Sequence, residues 1–184
     1  AGIGQPTSFN QPASNYPQSN TDARYYNTSY PGYGISNSAI HSCKDLPNAN
    51  EMSWYVMYGD PRWDADELWT TMGHLYKGGM WFKKKANIAG FTDSHHPDNA
   101  STDLRDTYTR VAKAASQQLP VITEMNQYFY LPFLGYYSTG INNYKFQSAG
   151  VTGYYWTSSA VSSNLTGSYA LTINKGLAAL QDVS

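Results

Sequence analysis

In the middle of the chain apolar positions recur at helical spacing, and in the last third they gather into short aromatic runs. After Pro47, Asn48 is a good N-cap and Glu51 stands three residues on, a capping-box arrangement with Asn in the cap role. Met52, Tyr55 and Val56 then share one face, and Gly59 suits the C-terminal turn. The same grammar repeats with Asp64 in the cap position, Glu67 three on, a stripe of Leu68, Met72 and Leu75, and Gly78-Gly79 as the stop. The spacing therefore predicts two short amphipathic helices separated by the turn Gly59-Asp60-Pro61. Residues 92–103 are polar and read as a loop. A third helix is predicted from Ser101, with Leu104, Tyr108, Val111, Ala112 and Ala115 in register, ending before Pro120.

Met80-Trp81-Phe82 reads as a short buried strand. Later, Tyr128-Phe129-Tyr130-Leu131, Tyr154-Tyr155-Trp156-Thr157 and Tyr169-Ala170-Leu171-Thr172-Ile173 have the aromatic and β-branched content of strands. Gly135, Gly140, Gly150, Gly153 and Gly167 punctuate them. Helices first and a Gly-punctuated antiparallel sheet afterwards make an α+β domain. Residues 1–38 differ from the rest: Pro6, Pro12, Pro17 and Pro31 interrupt any ladder, and no helical period is present. They read as an irregular arm whose Tyr16, Tyr25, Tyr26, Tyr30 and Tyr33 are suited to pin it to the body, residues 39–184.

Composition narrows the partners. The 184 residues fit one domain, and 41 % apolar content suffices for a core. A net charge of −1 with 14 % charged residues lacks the basic stripe of a nucleic-acid binder, so nucleic acid is not an expected partner. No apolar run approaches the roughly 18 residues that span a bilayer, so no transmembrane segment is expected. Tyr occurs 17 times and Trp 5 times among abundant Ser, Thr, Asn and Gly. Rigid amphipathic rings beside small adaptable polar groups are the chemistry of evolved binding surfaces, and equally of loop-rich extracellular folds. Cys43 is the only cysteine, so no intrachain disulfide forms, and it is expected to be buried and unreactive.

The late motifs carry a resemblance. Leu131-Pro132-Phe133-Leu134-Gly135-Tyr136-Tyr137, then Gly153-Tyr154-Tyr155-Trp156-Thr157-Ser158-Ser159, then Tyr169-Ala170-Leu171 resembles the pattern LPxxGYY…GYYWSSS…YxLxF. That pattern is typical of the fibrobacter-type major paralogous domain, a bacterial branch of the C-type-lectin-like superfamily common in Bacteroidetes surface lipoproteins and fimbrial tip proteins. The branch is related to the formylglycine-generating-enzyme fold and to the variable proteins diversified by retroelements. Leu46-Pro47-Asn48-Ala49-Asn50-Glu51-Met52 is similar to the domain's RLPTxxEW helix entry, with Asp45 where the family has Arg. The likeness covers roughly residues 43–180, and the family's closing Arg-x-x-Gly-x-x-Val-Arg strand is absent from it. The resemblance implies a C-type-lectin-like fold for residues 39–184: two short helices flanking a small twisted antiparallel sheet, loop-rich, with its C-terminal strand truncated or supplied from elsewhere.

Catalytic readings find little support in the residues. Cys43 has no second cysteine for formylglycine-type chemistry, and His41 is its only nearby base. His95-His96-Pro97-Asp98 offers adjacent imidazoles that diverge, where a catalytic zinc needs three converging ligands. The calcium triplets of true C-type lectins, Glu-Pro-Asn or Gln-Pro-Asp, do not occur, and Asp60, Asp64, Asp66 and Glu67 are explained by caps and a turn. Asp93, Asp98, Asp103 and Asp106 form no acid pair. The expectation is a domain that is not an enzyme and uses no cofactor. It is an extracellular or cell-surface adhesin-type domain that recognises a protein or glycan ligand through its C-terminal loops.

Its candidate contacts are Tyr137, Asn142, Asn143, Tyr144, Trp156, Ser162, Ser163, Asn164, Ser168 and Tyr169, in or beside the loops 138–147 and 160–169. Retroelement diversification of those loops is a refinement of the same reading. Leu131, Pro132, Gly135, Gly153, Trp156 and Leu171 are expected to govern stability, so Trp156 stands in both sets. Two alternatives stay open: a structural pilus or envelope subunit completed by a neighbouring strand, and a degenerate formylglycine-generating-type enzyme.

Overall fold

The computed structural model describes residues 43–71, 73–137 and 146–183; the arm 1–38, Met72, Asn142, Asn143 and Tyr144 lie outside them. The described residues form a mixed α+β structure with one α-helix and predominantly antiparallel sheet. The helix, α1 (Ala49–Tyr58), follows a 3-10 turn at Cys43–Asp45. A first sheet holds β1 (Arg62–Thr71), β2 (His74–Lys83) and β4 (Tyr128–Pro132) in the order β1-β2-β4. A second holds β3 (Val111–Ala114), β7 (Thr152–Val161), β8 (Asn164–Asn174) and β9 (Leu177–Val183) in the order β3-β9-β8-β7. A small ribbon pairs β5 (Tyr136–Tyr137) with β6 (Phe146–Gln147). Every strand pairing within these sheets is antiparallel. Strand β9 lies inside its sheet, paired on one side with β8 and on the other with β3.

The helix starts where its caps require. Glu51 N–H donates to Asn48 Oδ1 (3.0 Å) while Asn48 N–H donates to Glu51 Oε2 (2.9 Å), closing the capping box. Ala49 N–H finds a further acceptor in Ser159 Oγ of β7 (3.0 Å), so the helix entry is tied to the second sheet. The buried face carries Ala49, Met52 and Val56, which pack with Met80 and Phe82 of β2 and Leu171, Ile173 and Leu180 of the second sheet. Burial of each large apolar side chain there contributes about 1.5–3 kcal/mol. Asn50 is also fully buried. Its Nδ2 donates to Asp93 O (3.2 Å) and Asp103 Oδ1 (2.9 Å), and its Oδ1 accepts from Leu104 N–H (2.9 Å), so one side chain clasps the 93–104 loop to the helix.

The helix predicted after Asp64 is instead the β1–β2 hairpin. Asp64 does act as a local cap, but at a bulge. Its Oδ1 accepts from Asp66 N–H (2.9 Å) and Glu67 N–H (3.1 Å) where the register shifts between Asp64 and Leu68. The hydrogen bonds that mark a helix start here satisfy amides displaced from the ladder. The expected apolar stripe accordingly fails: Leu68 is 61 % exposed, whereas Trp69 and Tyr76 turn inward and stack at 4.9 Å. Gly78-Gly79, read as a helix stop, lies within β2. A Cβ on Gly79 would collide with the Tyr130 ring and the Leu131 carbonyl of β4, so the pair admits a close neighbour. Trp63, Thr70, Thr71, Trp81 and Phe82 supply the β-formers that outweigh the helical spacing.

The third predicted helix is also absent. Only one turn forms, with Asp106 N–H and Thr107 N–H donating to the Asp103 carbonyl (3.1 and 3.0 Å). The chain then extends as β3 against β9, Val111 opposite Leu180, because β9 offers an unpaired ladder that a helix at this place would leave unsatisfied. The three strands predicted around residues 128, 154 and 169, and the strand at Met80-Trp81-Phe82, all form, as parts of β4, β7, β8 and β2.

Candidate functional site

Strand β7 positions the candidate site. Its burial alternates: Gly153, Thr157, Ser159 and Val161 face inward, while Trp156, Ser158 and Ala160 face solvent. Trp156 is 46 % exposed, although its place in an aromatic strand motif made it a framework residue as well as a contact. It stands at the mouth of an apolar groove of about 480 Å³. Tyr154, Tyr155 and Trp156 of β7 with Leu171 of β8 form one side, and Phe129 and Leu131 of β4 another. Met52 and Tyr55 of α1 with Leu46 and Pro47 of the helix entry complete the lining. The groove thus lies where β7, an outer strand of one sheet, meets β4, an outer strand of the other, beside α1.

The local bonds keep this opening shaped. Tyr155 Oη donates to the Pro132 carbonyl (2.6 Å), linking β7 to the end of β4. Burial raises the Tyr155 phenol well above its ordinary range, so it stays a neutral donor. Gly135 N–H donates to Thr152 O (2.7 Å) at one end of β7, and Ser158 N–H donates to the Pro47 carbonyl (3.1 Å) further along. Gly135 has φ +74°, and a Cβ there would strike the Gln147 carbonyl and Ala149, so glycine is required for this crossing. Tyr55 packs edge-on to Phe129 at 5.3 Å.

Two further depressions adjoin the groove. One, of about 320 Å³, shares Leu46, Pro47, Tyr55 and Phe129 and adds Asp45, Glu51, Lys84 and Lys85. The other, of about 380 Å³, shares Tyr154, whose ring meets Tyr136 at 5.0 Å, and adds Ser148, Thr152, Asn174 and Lys175. The apolar groove is thus bordered by mixed charge in one depression and small polar groups in the other.

Among the residues expected to bind whose side chains are described, Trp156 lines this groove and the others do not. Ser162 and Ser163 form the exposed β7–β8 turn, and Ser168 is half-buried opposite Ala160 and Val183. Tyr137 pairs with Phe146 in the β5–β6 ribbon and Asn164 opens β8; for these two the backbone alone is described. Asn142, Asn143 and Tyr144 lie outside the described residues, as does most of the loop 138–147. Tyr169 is corrected: it is fully buried, stacked on Tyr108 at 5.7 Å, and its hydroxyl accepts from Thr109 N–H (3.3 Å) and donates to Thr107 O (3.4 Å). A ring fixed in the core has no face left for a ligand.

Cys43 is likewise corrected, from buried to exposed. The 3-10 turn that carries it buries none of its residues. Among the described residues no group of three His, Cys, Asp or Glu is placed to hold a metal. The histidine loop is internally occupied: His95 Nδ1 meets the His96 carbonyl (2.9 Å), and His96 Nδ1 accepts from Asp98 N–H (3.1 Å). Asp60 accepts from Arg62 and from Tyr128 Oη (2.6 Å). Burial alone would raise the Asp60 carboxyl, but these donors outweigh it and hold it below the usual range, while burial and Asp60 push Tyr128 up to about 12. Asp66 is paired with Lys77 (2.7 Å). These carboxylates serve the hairpin. Among the described residues no helix is long and apolar enough to cross a membrane.

Comparison with protein-family models, with curated proteins and with solved structures returned no match.

Proposed function

We propose that this chain is a non-catalytic ligand-binding domain of the C-type-lectin-like kind, displayed on a cell surface or secreted, which holds a protein or glycan ligand as an adhesin does. The observation that carries the reading is Trp156, a large aromatic side chain left nearly half exposed at the mouth of an apolar groove. Exposed aromatic surface in a concavity is costly to leave in water and is the usual anchor of a recognition site. The groove also departs from the loop-centred site expected above. Its walls come from α1, β4, β7 and β8, rigid elements that would present fixed rings, while the serines of the β7–β8 turn lie outside the lining. The phenols of Tyr55 and Tyr154 are both raised by burial, so they remain neutral and offer hydroxyl donors beside the apolar surface.

The test is binding to a panel of arrayed glycans and host surface proteins by the parent chain, Trp156→Ala and Ser162→Ala/Ser163→Ala. Loss of an interface aromatic anchor costs about 2 kcal/mol or more, roughly thirtyfold in affinity. The expected result is that loss for Trp156→Ala and a smaller one for the serine pair. Binding that survives Trp156→Ala unchanged would place the ligand elsewhere.

A further inference from the structure

The edge of β7 that borders the groove is occupied at two points and open between them. At the first, Gly135 N–H donates to the Thr152 carbonyl (2.7 Å), and Gly135 forms a parallel bridge with Gly153. At the second, Ser158 N–H donates to the Pro47 carbonyl (3.1 Å). Successive residues of a strand direct their backbone groups to alternate edges, so Tyr154 and Trp156 point theirs the same way as Thr152 and Ser158, away from β8. Among the described residues the Tyr154 carbonyl, the Trp156 N–H and the Trp156 carbonyl have no hydrogen-bond partner on that side. We propose, resting on the ligand reading of this groove, that its ligand is an extended, uncharged, apolar segment of a partner protein, which adds as a strand to the edge of β7 at Tyr154–Trp156.

Three features select a peptide strand over a sugar. The first is the backbone. One donor and two acceptors in a row match an antiparallel strand: one residue of the segment exchanges two hydrogen bonds with Trp156, and the residue two further on donates to the Tyr154 carbonyl. Tyr154, Tyr155 and Trp156 include none of the charges or prolines with which proteins blunt an edge. The second is the lining, in which no residue carries a charge or a carboxamide. The Tyr155 hydroxyl is already committed to the Pro132 carbonyl. A sugar in this cleft would leave most of its hydroxyls without partners, and a charged segment would lose its hydration with no counter-charge, whereas an apolar side chain leaves nothing unpaired. The third is placement. From Thr152 to Ser158 the edge runs about 20 Å, room for roughly four residues between the two occupied points. Alternate side chains of a strand face opposite ways, so every second one would enter the groove of about 480 Å³ while its neighbours lie beside the exposed Trp156 ring.

The experiment pans the full chain against a displayed library of random dodecapeptides and, in parallel, against arrayed glycans. Enriched peptides should share a run of about four uncharged residues with apolar side chains at every second position. The best of them, synthesised, should bind the parent and lose roughly thirtyfold in affinity for Trp156→Ala. Amide hydrogen exchange followed by NMR should show the Trp156 N–H slowed about tenfold or more by saturating peptide, while the Tyr155 N–H, turned toward β8, changes little. Methylating the peptide's backbone amides in one alternate set should cost about tenfold per amide, and in the other set little. Failure to enrich any peptide, whether or not a glycan binds, would overturn the inference. So would a peptide bound with the Trp156 N–H unprotected, or protection of that N–H by concentration-dependent pairing of two copies of the chain. A glycan bound in place of peptides and lost in Trp156→Ala would leave the ligand reading of the groove standing. A peptide that protects the parent's Trp156 N–H yet binds Trp156→Ala as tightly would keep the strand pairing and overturn Trp156 as the anchor.

Discussion

Two tryptophans of this chain separate stability from binding. Trp69 is 9 % exposed, its ring stacked on Tyr76 at 4.9 Å and its Nε1 donating to the buried Gly78 carbonyl (2.8 Å). Trp69→Ala removes a core aromatic, about 3–5 kcal/mol, and one of two donors to that carbonyl, which keeps Phe133 N–H at 2.9 Å and so adds little. That loss, on the order of 3–5 kcal/mol, approaches the whole stability of many domains. Trp156 keeps only about half its surface out of water. Roughly 100 Å² at about 25 cal/mol per Å² gives ~2.5 kcal/mol, lowered to about 2 because the unfolded chain already buries some of it. No cavity penalty is added, since the groove is open and water fills the vacated space. Urea denaturation followed by near-ultraviolet circular dichroism should therefore shift the midpoint modestly for Trp156→Ala, at unchanged m-value, and severely for Trp69→Ala. Equal costs would mean that Trp156 is a core residue, and the groove would lose its anchor.

Asn50→Ala should cost about 2–4 kcal/mol in the same assay, because it orphans the buried Leu104 N–H and releases Asp93 and Asp103; a change under about 0.5 kcal/mol would show the clasp to be incidental. Hydrogen bonds from Arg105 hold the Asp103 carboxyl well below the usual carboxylate range, against some burial. A depressed folded pKa stabilises fully above the unfolded value of about 3.9 and fades as pH falls below it, so acid melts of the parent should steepen there and those of Asp103→Asn should be flatter. Parallel acid profiles would refute that assignment. Exposed Cys43 should react completely with a thiol reagent under native conditions, without unfolding; slow labelling that speeds up in urea would contradict its placement.

Local signals were legible when a local interaction satisfied them. Asn48 and Glu51 close their capping box within one turn, so α1 could be read from four residues. Asp64 shows the limit of that reasoning. Its carboxylate does accept from the amides two and three residues on, but whether those amides open a helix or a bulge depends on the strand opposite, ten and more residues away at Lys77 and Gly79. The third helix failed for a related reason. Leu104 and Val111 are buried as the periodicity required, yet one is held by Asn50 and the other lies against Leu180 in β9. Periodicity reported the burial of these two correctly and the geometry wrongly, and Tyr108 of the same stripe is exposed. Tertiary pairing decided between them.

The site was harder to see, and for a physical reason. A groove between two sheets is assembled from residues far apart in sequence: Leu46 and Pro47, Met52 and Tyr55, Phe129 and Leu131, and the 154–156 run. None of these carries a chemical signal on its own, since Leu, Met and Phe at strand or helix spacing are ordinary core residues. Strand parity decides between the two assignments of Trp156, contact and framework. With Gly153, Thr157 and Ser159 inward, the even positions of β7 must face out, and an aromatic there is in contact with something or with water. The same parity places Tyr154 beside it and, through the pairing of Tyr169 with Asp182 in β9, leaves Tyr169 on the buried side. The residues that polar composition favoured, Ser162 and Ser163, lie at the β7–β8 turn and are not part of the groove's lining. The residues that shape it are those the same composition assigned to the core. A binding site built from framework strands is therefore expected to link affinity to packing. Substitutions at Tyr155, whose hydroxyl ties β7 to Pro132, should change affinity through the packing of the two sheets, whereas Trp156→Ala should remove a contact directly and leave that tie in place.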